Sequence, residues 1–230
     1  MSRAPFPVTH IVFDVDGTLV DFESALHAAL REAAEAASAH LGTLVTASQL
    51  HQSREFVAVD PAWSEKRLKE IRDESIRRVL ASAGEHAPEV VEMIAATYYA
   101  GRDAHLRAYG DVEHSLATLA ARGFTLIAAT NGNADLASHP FMAHVAHHQQ
   151  AEVVGVSKPD PAFFARAVAD AGGQPELSLS VGDRIDNDVL PARAAGLHAA
   201  LLDRHDKAPD VEVPRITSLT ELLTLVELPA

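Results

Sequence analysis

The chain has 230 residues, 47% of them hydrophobic and 22% charged, with 32 Asp and Glu against 19 Lys and Arg. This composition predicts a globular protein that is large enough for one α/β domain with a modest insertion. The formal net charge of −13 argues against a broad nucleic-acid surface, because phosphate contacts need clustered Lys and Arg. The sequence has no cysteine, which excludes disulfides and thiol catalysis, and no apolar stretch approaches the roughly 20 residues of a membrane span. We therefore predict a cytoplasmic protein without a membrane or nucleic-acid partner.

The first predicted element is a strand, and a long helical region follows it. Val8–Phe13 is a short apolar run that ends in acidic residues and glycine, which is typical of a buried strand that enters a loop. From Phe22 to about residue 106, apolar residues recur at helical spacing without a convincing strand. A crossover between parallel strands needs only about a dozen residues. We therefore predict that residues 22–106 form an all-helical cap subdomain, inserted into a core of residues 1–21 and 107–230.

After this region, predicted helices alternate with predicted strands. The helices are predicted at residues 111–122, from Asp160 to Gly172, and at Asn187–Ala195. The strands are predicted at Phe124–Ala129, Glu152–Val154, Leu177–Val181 and Leu197–Leu202. This alternation is typical of a parallel sheet covered on both faces. The predicted fold class is therefore α/β, with a Rossmann-like doubly wound core.

Unusual polar residues follow four of the predicted strands. They are Asp14-Val15-Asp16-Gly17-Thr18, Thr130-Asn131-Gly132, Lys158-Pro159-Asp160, and Gly182-Asp183 with Asn187-Asp188. Ligands of open parallel sheets bind outside the carboxyl ends of the strands, so these residues are expected to converge. Any one stretch is weak evidence for a site, because Asp-Gly and Asn-Gly are common turn pairs and Asp160 reads as a helix cap. Their order and spacing together predict an active site.

The stretches FDVDGTLVD, TNGN, SKPDP and GDRIDND resemble, in this order, the four signature stretches of the haloacid dehalogenase-like hydrolase superfamily. The closest likeness is to its phosphatases with a helical cap after the first strand, and it covers Val8 to about Leu202. The resemblance implies that Asp14 is a nucleophile that forms an aspartyl-phosphate, and that Asp16 is the general acid and base. It also implies that Thr130 and the amide of Asn131 bind the phosphoryl oxygens.

The chemistry of these residue types agrees with the resemblance. A carboxylate can attack phosphorus, and Asp16, two residues after Asp14, lies on the same side of an extended chain. Gly17 allows a sharp turn that presents backbone amides to the phosphoryl group, and Lys158 adds a positive charge. Crowded carboxylates repel one another, and a hard divalent cation relieves this, Mg²⁺ being the usual choice with phosphate.

The family pattern further implies the metal ligands. These are the Asp14 carboxylate, the Asp16 backbone carbonyl and the Asp183 carboxylate. Asn187 and Asp188 are predicted to support the metal ligands without contacting the ion. The spacing of His139, His144, His147 and His148 matches no compact ligand set.

Several alternatives remain open on the sequence alone. A dehalogenase of the superfamily needs neither Asp16 nor a metal, whereas a phosphomutase keeps the same acidic residues. A phospho-aspartate signalling or binding protein is a rival of another class, but such receivers are about half this length and lack a cap. The predicted substrate is a small phosphorylated metabolite, such as a sugar phosphate, a nucleotide or flavin mononucleotide, and the protein is predicted to be a monomer or homodimer. The sequence does not identify the cap residues that select the substrate. Four residues of the predicted cap are candidates, either as substrate contacts or as ordinary surface or packing residues: Arg54, Trp63, Arg67 and Arg72.

Overall fold

The computed structural model describes residues 5–64, 66–206 and 212–229. The chain forms two compact units, one of Met1–Asp21 with Ala108–Ala230 and one of Phe22–Arg107. These bounds are close to the predicted core and insertion, and the role of the insertion as a cap stays a prediction. No described helix is long and apolar enough to cross a membrane.

The first unit is built on two parallel sheets. A short pair consists of β1 (Phe6–Pro7) and β8 (Val226–Glu227). The main sheet contains β2 (His10–Phe13), β3 (Thr125–Thr130), β4 (His147–Gln150), β5 (Ser178–Gly182), β6 (His198–Leu202) and β7 (Arg215–Ile216). Their order is β4-β3-β2-β5-β6-β7, and every neighbouring pair is parallel. The predicted Rossmann-like α/β class is therefore confirmed.

The helices divide between the units. The second unit contains α1 (Phe22–Leu41), α2 (Ala47–Val59), α3 (Leu68–Ser82) and α4 (Pro88–His105). The first unit contains α5 (Val112–Ala121), α6 (Ala151–Val154), α7 (Pro161–Asp170), α8 (Leu190–Ala194) and α9 (Leu219–Leu225). A π-helical turn, Ile185–Val189, precedes α8, and short 3₁₀ turns lie at Pro140–His144 and Pro175–Leu177.

The sheet order explains where a site can form. The chain passes from β2 to β3 and β4 on one side, and then returns to place β5 on the other side of β2. Connections that diverge in this way leave a crevice at the carboxyl ends of β2 and β5, where ligands of doubly wound sheets bind. The strands are anchored beneath it, since Val12 and Ile127 pack against Phe163 and Phe164 of α7 in a fully buried cluster.

The second unit has a hydrophobic core of its own, formed by apolar faces of all four helices. Helix α1 packs closely on α4 at Gly101, where a Cβ atom would lie 3.3 Å from the Cα of Ala29. Helix α2 begins with a capping box, in which the Thr46 hydroxyl accepts from the amide of Gln49 and the Gln49 side chain accepts from the Thr46 amide.

One predicted strand is wrong and one predicted helix is altered. Glu152–Val154 lies in helix α6, which ends at left-handed Gly155, and the strand precedes it at His147–Gln150. This edge strand is polar, so it lacks the apolar signal on which strand prediction depends. The helix predicted over Asn187–Ala195 is split, because the π-helical turn occupies its first residues.

Candidate active site

Asp14 follows β2 directly and is held by a buried lysine. The Nζ atom of Lys158 donates to Asp14 Oδ1 at 2.5 Å and to Asp188 Oδ1 at 2.7 Å. All three side chains are buried, with 9% or less of each residue exposed. Burial alone would lower the pKa of Lys158, but the carboxylates of Asp14 and Asp188 outweigh it and raise that pKa above its usual range. Lys158 is therefore a fixed cation that lies between Asp14 and Asp188 and hydrogen-bonds to both.

The second oxygen of Asp14 has no such partner. Asp14 Oδ2 is buried and makes no hydrogen bond within the described residues. Carboxylate oxygens of Asp14, Asp183 and Asp188 lie within 4.8 Å of one another. A buried carboxylate oxygen without a partner is costly, and a hard cation with oxygen ligands would satisfy it. The donor set therefore fits a divalent cation such as Mg²⁺.

The carboxyl group of Asp183 faces this cluster from the end of β5. Burial of the carboxyl by the atoms around it, and then the nearby charge of Asp14, raise its pKa to about 6. The residue remains open to solvent on its other side. Gly17 leaves room for it, because a Cβ atom at Gly17 would lie 2.6 Å from Asp183 Oδ2. Gly17 also has a φ of +88°, which other residues rarely adopt, so glycine is needed here for two reasons.

Asp188 differs from Asp183 in having both oxygens engaged. Oδ1 accepts from Lys158, and Oδ2 accepts from the amide of Arg184 at 3.0 Å. Burial and then the Asp14 charge raise the pKa of Asp188. Although Asp188 lies near the possible metal position, its hydrogen bonds favour the predicted supporting role. Asn187, the other residue given this role, lies partly exposed in the same π-helical turn.

Asp16 lies beside the end of β3. Its Oδ2 atom is 3.5 Å from the Thr130 hydroxyl, the last residue of that strand. Thr130 also accepts from the amide of Gly132 at 2.7 Å. A Cβ atom at Gly132 would lie 2.4 Å from Asp16 Oδ2 and 3.0 Å from the Thr130 hydroxyl. Gly132 thus makes the space that the Asp16 carboxyl occupies, a role that the Thr-Asn-Gly stretch signals only weakly.

The side chain of Asn131 is engaged with the lysine loop. Its Nδ2 donates to the Lys158 carbonyl and its Oδ1 accepts from the Lys158 amide, both at 2.9 Å. The sequence predicted only that the Asn131 amide binds phosphoryl oxygens. The side-chain contacts join the loop after β3 to the loop that carries Lys158, which is not evident from sequence. Asp160 caps α7 as predicted, accepting from the amide of Ala162 at 2.9 Å.

The residues considered as substrate contacts lie in the second unit. Arg72 is buried, stacks over the ring of Tyr98 at 4.6 Å and donates to the Leu50 carbonyl at 3.4 Å, so it is a packing residue. Arg54 pairs with Glu55 at 3.0 Å in an exposed contact. Trp63 is half-buried after α2, and Arg67 is exposed before α3.

The predicted absence of a histidine metal centre is not tested by the structure. Within the described residues, the clustered metal-type ligands are Asp14, Asp183 and Asp188. His144 pairs with Glu113 at 3.0 Å.

Comparison with known proteins gives one family match, two similar enzymes and one similar structure. Residues 8–196 match the family model described as haloacid dehalogenase-like hydrolase. The chain is 29% identical over 229 residues to a glyceraldehyde 3-phosphate phosphatase of Methanopyrus kandleri, covering 93% of this chain and 96% of that enzyme. It is 35% identical over 146 residues to a phosphoserine phosphatase of Thermus thermophilus, covering 61% of this chain and 58% of that enzyme. The crystal structure of a 2-haloacid dehalogenase from Pseudomonas syringae superposes with a TM-score of 0.79 at 28% identity, covering 95% of this chain and 97% of that one.

Proposed function

The chain belongs to the haloacid dehalogenase-like hydrolase family, and on this premise we propose that it is a Mg²⁺-dependent phosphatase that hydrolyses a small phosphomonoester through an aspartyl-phosphate on Asp14. One observation carries the proposal. Asp14 has one oxygen held by Lys158 and the other buried without a hydrogen-bond partner in the described residues, beside Asp183. An oxygen held in this way is available to a phosphorus atom or a cation and to little else.

The chain's own residues account for both chemical steps. In the first, an Asp14 oxygen bonds to phosphorus while the bond from phosphorus to the leaving oxygen breaks, and Asp16 donates its proton to that oxygen. In the second, Asp16 takes a proton from water, the water oxygen bonds to phosphorus, and Asp14 is released with inorganic phosphate. Thr130 and the Asn131 amide bind the phosphoryl oxygens, and Lys158 balances their charge. Mg²⁺, held by Asp14, Asp183 and the Asp16 carbonyl, would supply further neutralisation of the phosphoryl charge.

The proposed substrate is a small phosphorylated metabolite. Two similar enzymes are named for glyceraldehyde 3-phosphate and phosphoserine, which makes three-carbon phosphates the first probes. Residues of the inserted unit, which we propose acts as a cap, would choose among such substrates. The predicted cytoplasmic location and the monomer or homodimer stay predictions.

The test uses wild-type protein and Asp14→Asn with an aryl phosphate and Mg²⁺. We expect wild type to release inorganic phosphate, excess chelator to abolish the release, and Asp14→Asn to be inactive and to carry no covalent phosphate after acid quenching. The Asn side chain keeps the shape of Asp, so its folding control is an unchanged circular dichroism spectrum. Full turnover in chelator would contradict the metal assignment, and covalent phosphate on Asp14→Asn would contradict the nucleophile.

A dehalogenase is the second candidate, favoured by the structural match to the Pseudomonas syringae enzyme. Attack on carbon would need neither an acid at Asp16 nor a metal at Asp183. Halide release from a 2-haloacid, without phosphate release from any phosphomonoester, would support this candidate and refute the phosphatase. Phosphate transfer to a second sugar rather than to water would identify a phosphomutase.

A further inference from the structure

Arg204 lies two residues after β6, outside the signature stretches, and contacts the segment that follows Asp14 and Asp16. Its side chain is only 11% exposed. Nη2 donates to the carbonyl oxygen of Thr18 at 2.7 Å, and the guanidinium stacks over the ring of Tyr109 at 4.0 Å. Thr18 itself is fully buried. A hydrogen bond from a charged donor to a buried carbonyl is among the stronger ones in proteins.

The guanidinium is itself held in place by Asp111. Nη1 donates to Asp111 Oδ2 at 3.1 Å, and Nη2 is 3.1 Å from Oδ1. Oδ2 also accepts from the Leu219 amide at 2.8 Å and from the Ser218 hydroxyl at 3.0 Å. These contacts fix the carboxylate at the start of α9. Asp111 therefore fixes the Arg204 guanidinium in the position from which Nη2 donates to the Thr18 carbonyl.

The segment that Arg204 holds carries Asp16. The Val15 carbonyl accepts from the amides of Thr18, Leu19 and Val20, and the Gly17 amide donates to the Val20 carbonyl. These bonds close a tight loop from Val15 to Val20. The loop turns at Gly17, a residue with unusual backbone freedom, and contacts from outside the loop restrict it. The Tyr109 amide donates to the Leu19 carbonyl at 3.1 Å, on the far side of Thr18 from Asp16. The Thr18 carbonyl is two residues after Asp16, and it receives such a contact from Arg204.

We propose that Arg204 is a positioning residue, which acts through the Thr18 carbonyl to keep the Asp16 carboxyl where it protonates the leaving oxygen. This role rests on the proposed function. Among the described residues Arg204 contacts Thr18, Asp111 and Tyr109, and none of these is a proposed metal ligand. Loss of Arg204 would act on both steps that Asp16 serves, and kcat/KM reports the first of them, in which the leaving group needs a proton.

The test compares two substrates in wild type, Arg204→Met and Arg204→Lys. An alkyl phosphate has a poor leaving group that needs the proton, whereas p-nitrophenyl phosphate has a good leaving group that does not. We expect Arg204→Met to lower kcat/KM for the alkyl phosphate by about 30-fold and for the aryl phosphate by about 3-fold or less, the larger loss matching a misplacement of less than 1 Å. Arg204→Lys keeps the positive charge but lacks the planar guanidinium that reaches Thr18 and Asp111 together, so it should fall between wild type and Arg204→Met.

Arg215→Met is the matched control. Arg215 pairs with Asp203 at 2.7 Å in the neighbouring segment, and no contact with the Val15–Val20 loop is found for it in the described residues. We expect it to keep the wild-type ratio of the two rates. If Arg204→Met does not fold, the isosteric Asp111→Asn replaces it, with a change in the same direction but smaller.

The results separate the possible failures. Equal loss on both substrates, or no loss on either, would overturn the positioning role while leaving the phosphatase intact. A wild-type protein that releases phosphate from neither substrate would overturn the proposed function, and the role of Arg204 with it.

Discussion

Gly132 offers a sharp test of the site, because it makes room for the Asp16 carboxyl. A Cβ atom added at Gly132 would lie 2.4 Å from Asp16 Oδ2, whereas ordinary contact begins at about 3.4 Å. Gly132 has no positive φ, so alanine fits the backbone and the conflict is confined to the side chain. In Gly132→Ala the short Asp16 side chain must move by about 1 Å. We expect the protein to remain folded and the proton transfer from Asp16 to become slower.

A misplacement of this size can cost about 100-fold in rate, which corresponds to about 2.7 kcal/mol at the transition state. We therefore expect Gly132→Ala to lower kcat/KM for an alkyl phosphate by about 100-fold and for p-nitrophenyl phosphate by much less. The unfolding temperature should stay within a few degrees of wild type. The matched control is Gly110→Ala, since no atom of the described residues lies within 4 Å of a Cβ atom there and its φ is not positive. An alkyl phosphatase rate equal to that of Gly110→Ala would refute the reasoning.

Three further predictions concern the metal, the stability and the inserted unit. Asp183→Asn should raise the Mg²⁺ concentration for half-maximal rate far more than Asp188→Asn does, because Asp188 is occupied by hydrogen bonds; equal titrations would refute this. Burial would raise the pKa of Asp111, but hydrogen bonds from Arg204 and the Leu219 amide lower this pKa overall. The charged Asp111 carboxylate therefore adds to the free energy of unfolding above pH of about 4, and this contribution is lost as the pH falls below that value. Denaturation with urea at pH 3 to 7 should therefore show a shallower loss toward acid in Asp111→Asn, and identical slopes would contradict the assignment. Three residues of the inserted unit are to be changed to alanine one at a time: Arg54, Trp63 and Arg67. Each variant should change the relative kcat/KM values among phosphorylated metabolites by about 10-fold and should affect an aryl phosphate much less. An unchanged order of kcat/KM values in folded protein would show that these residues do not select the substrate.

Short local patterns in the sequence were sufficient to predict the central strands, the residues of the site and the helical insertion. The apolar run before Asp14, the run before Thr130 and the run before Gly182 predicted the central strands, because a buried parallel strand must be apolar along its length. The polar residues that end these runs lie at one edge of the sheet, because parallel strands all end in the same direction. The helical insertion was predicted for a similar reason, since its apolar spacing follows the turn of a helix.

Only the tertiary structure decided which of these residues touch. Lys158 reaches Asp14 across 144 positions of sequence, and Arg204 reaches the Thr18 carbonyl across 186. Such pairs are set by the order of strands in the sheet, and no local pattern records that order. The same is true of Gly132, whose importance depends on how near Asp16 comes to it from another strand. The edge strand His147–Gln150 was missed because its residues are polar, and its backbone is held by the ladder to β3.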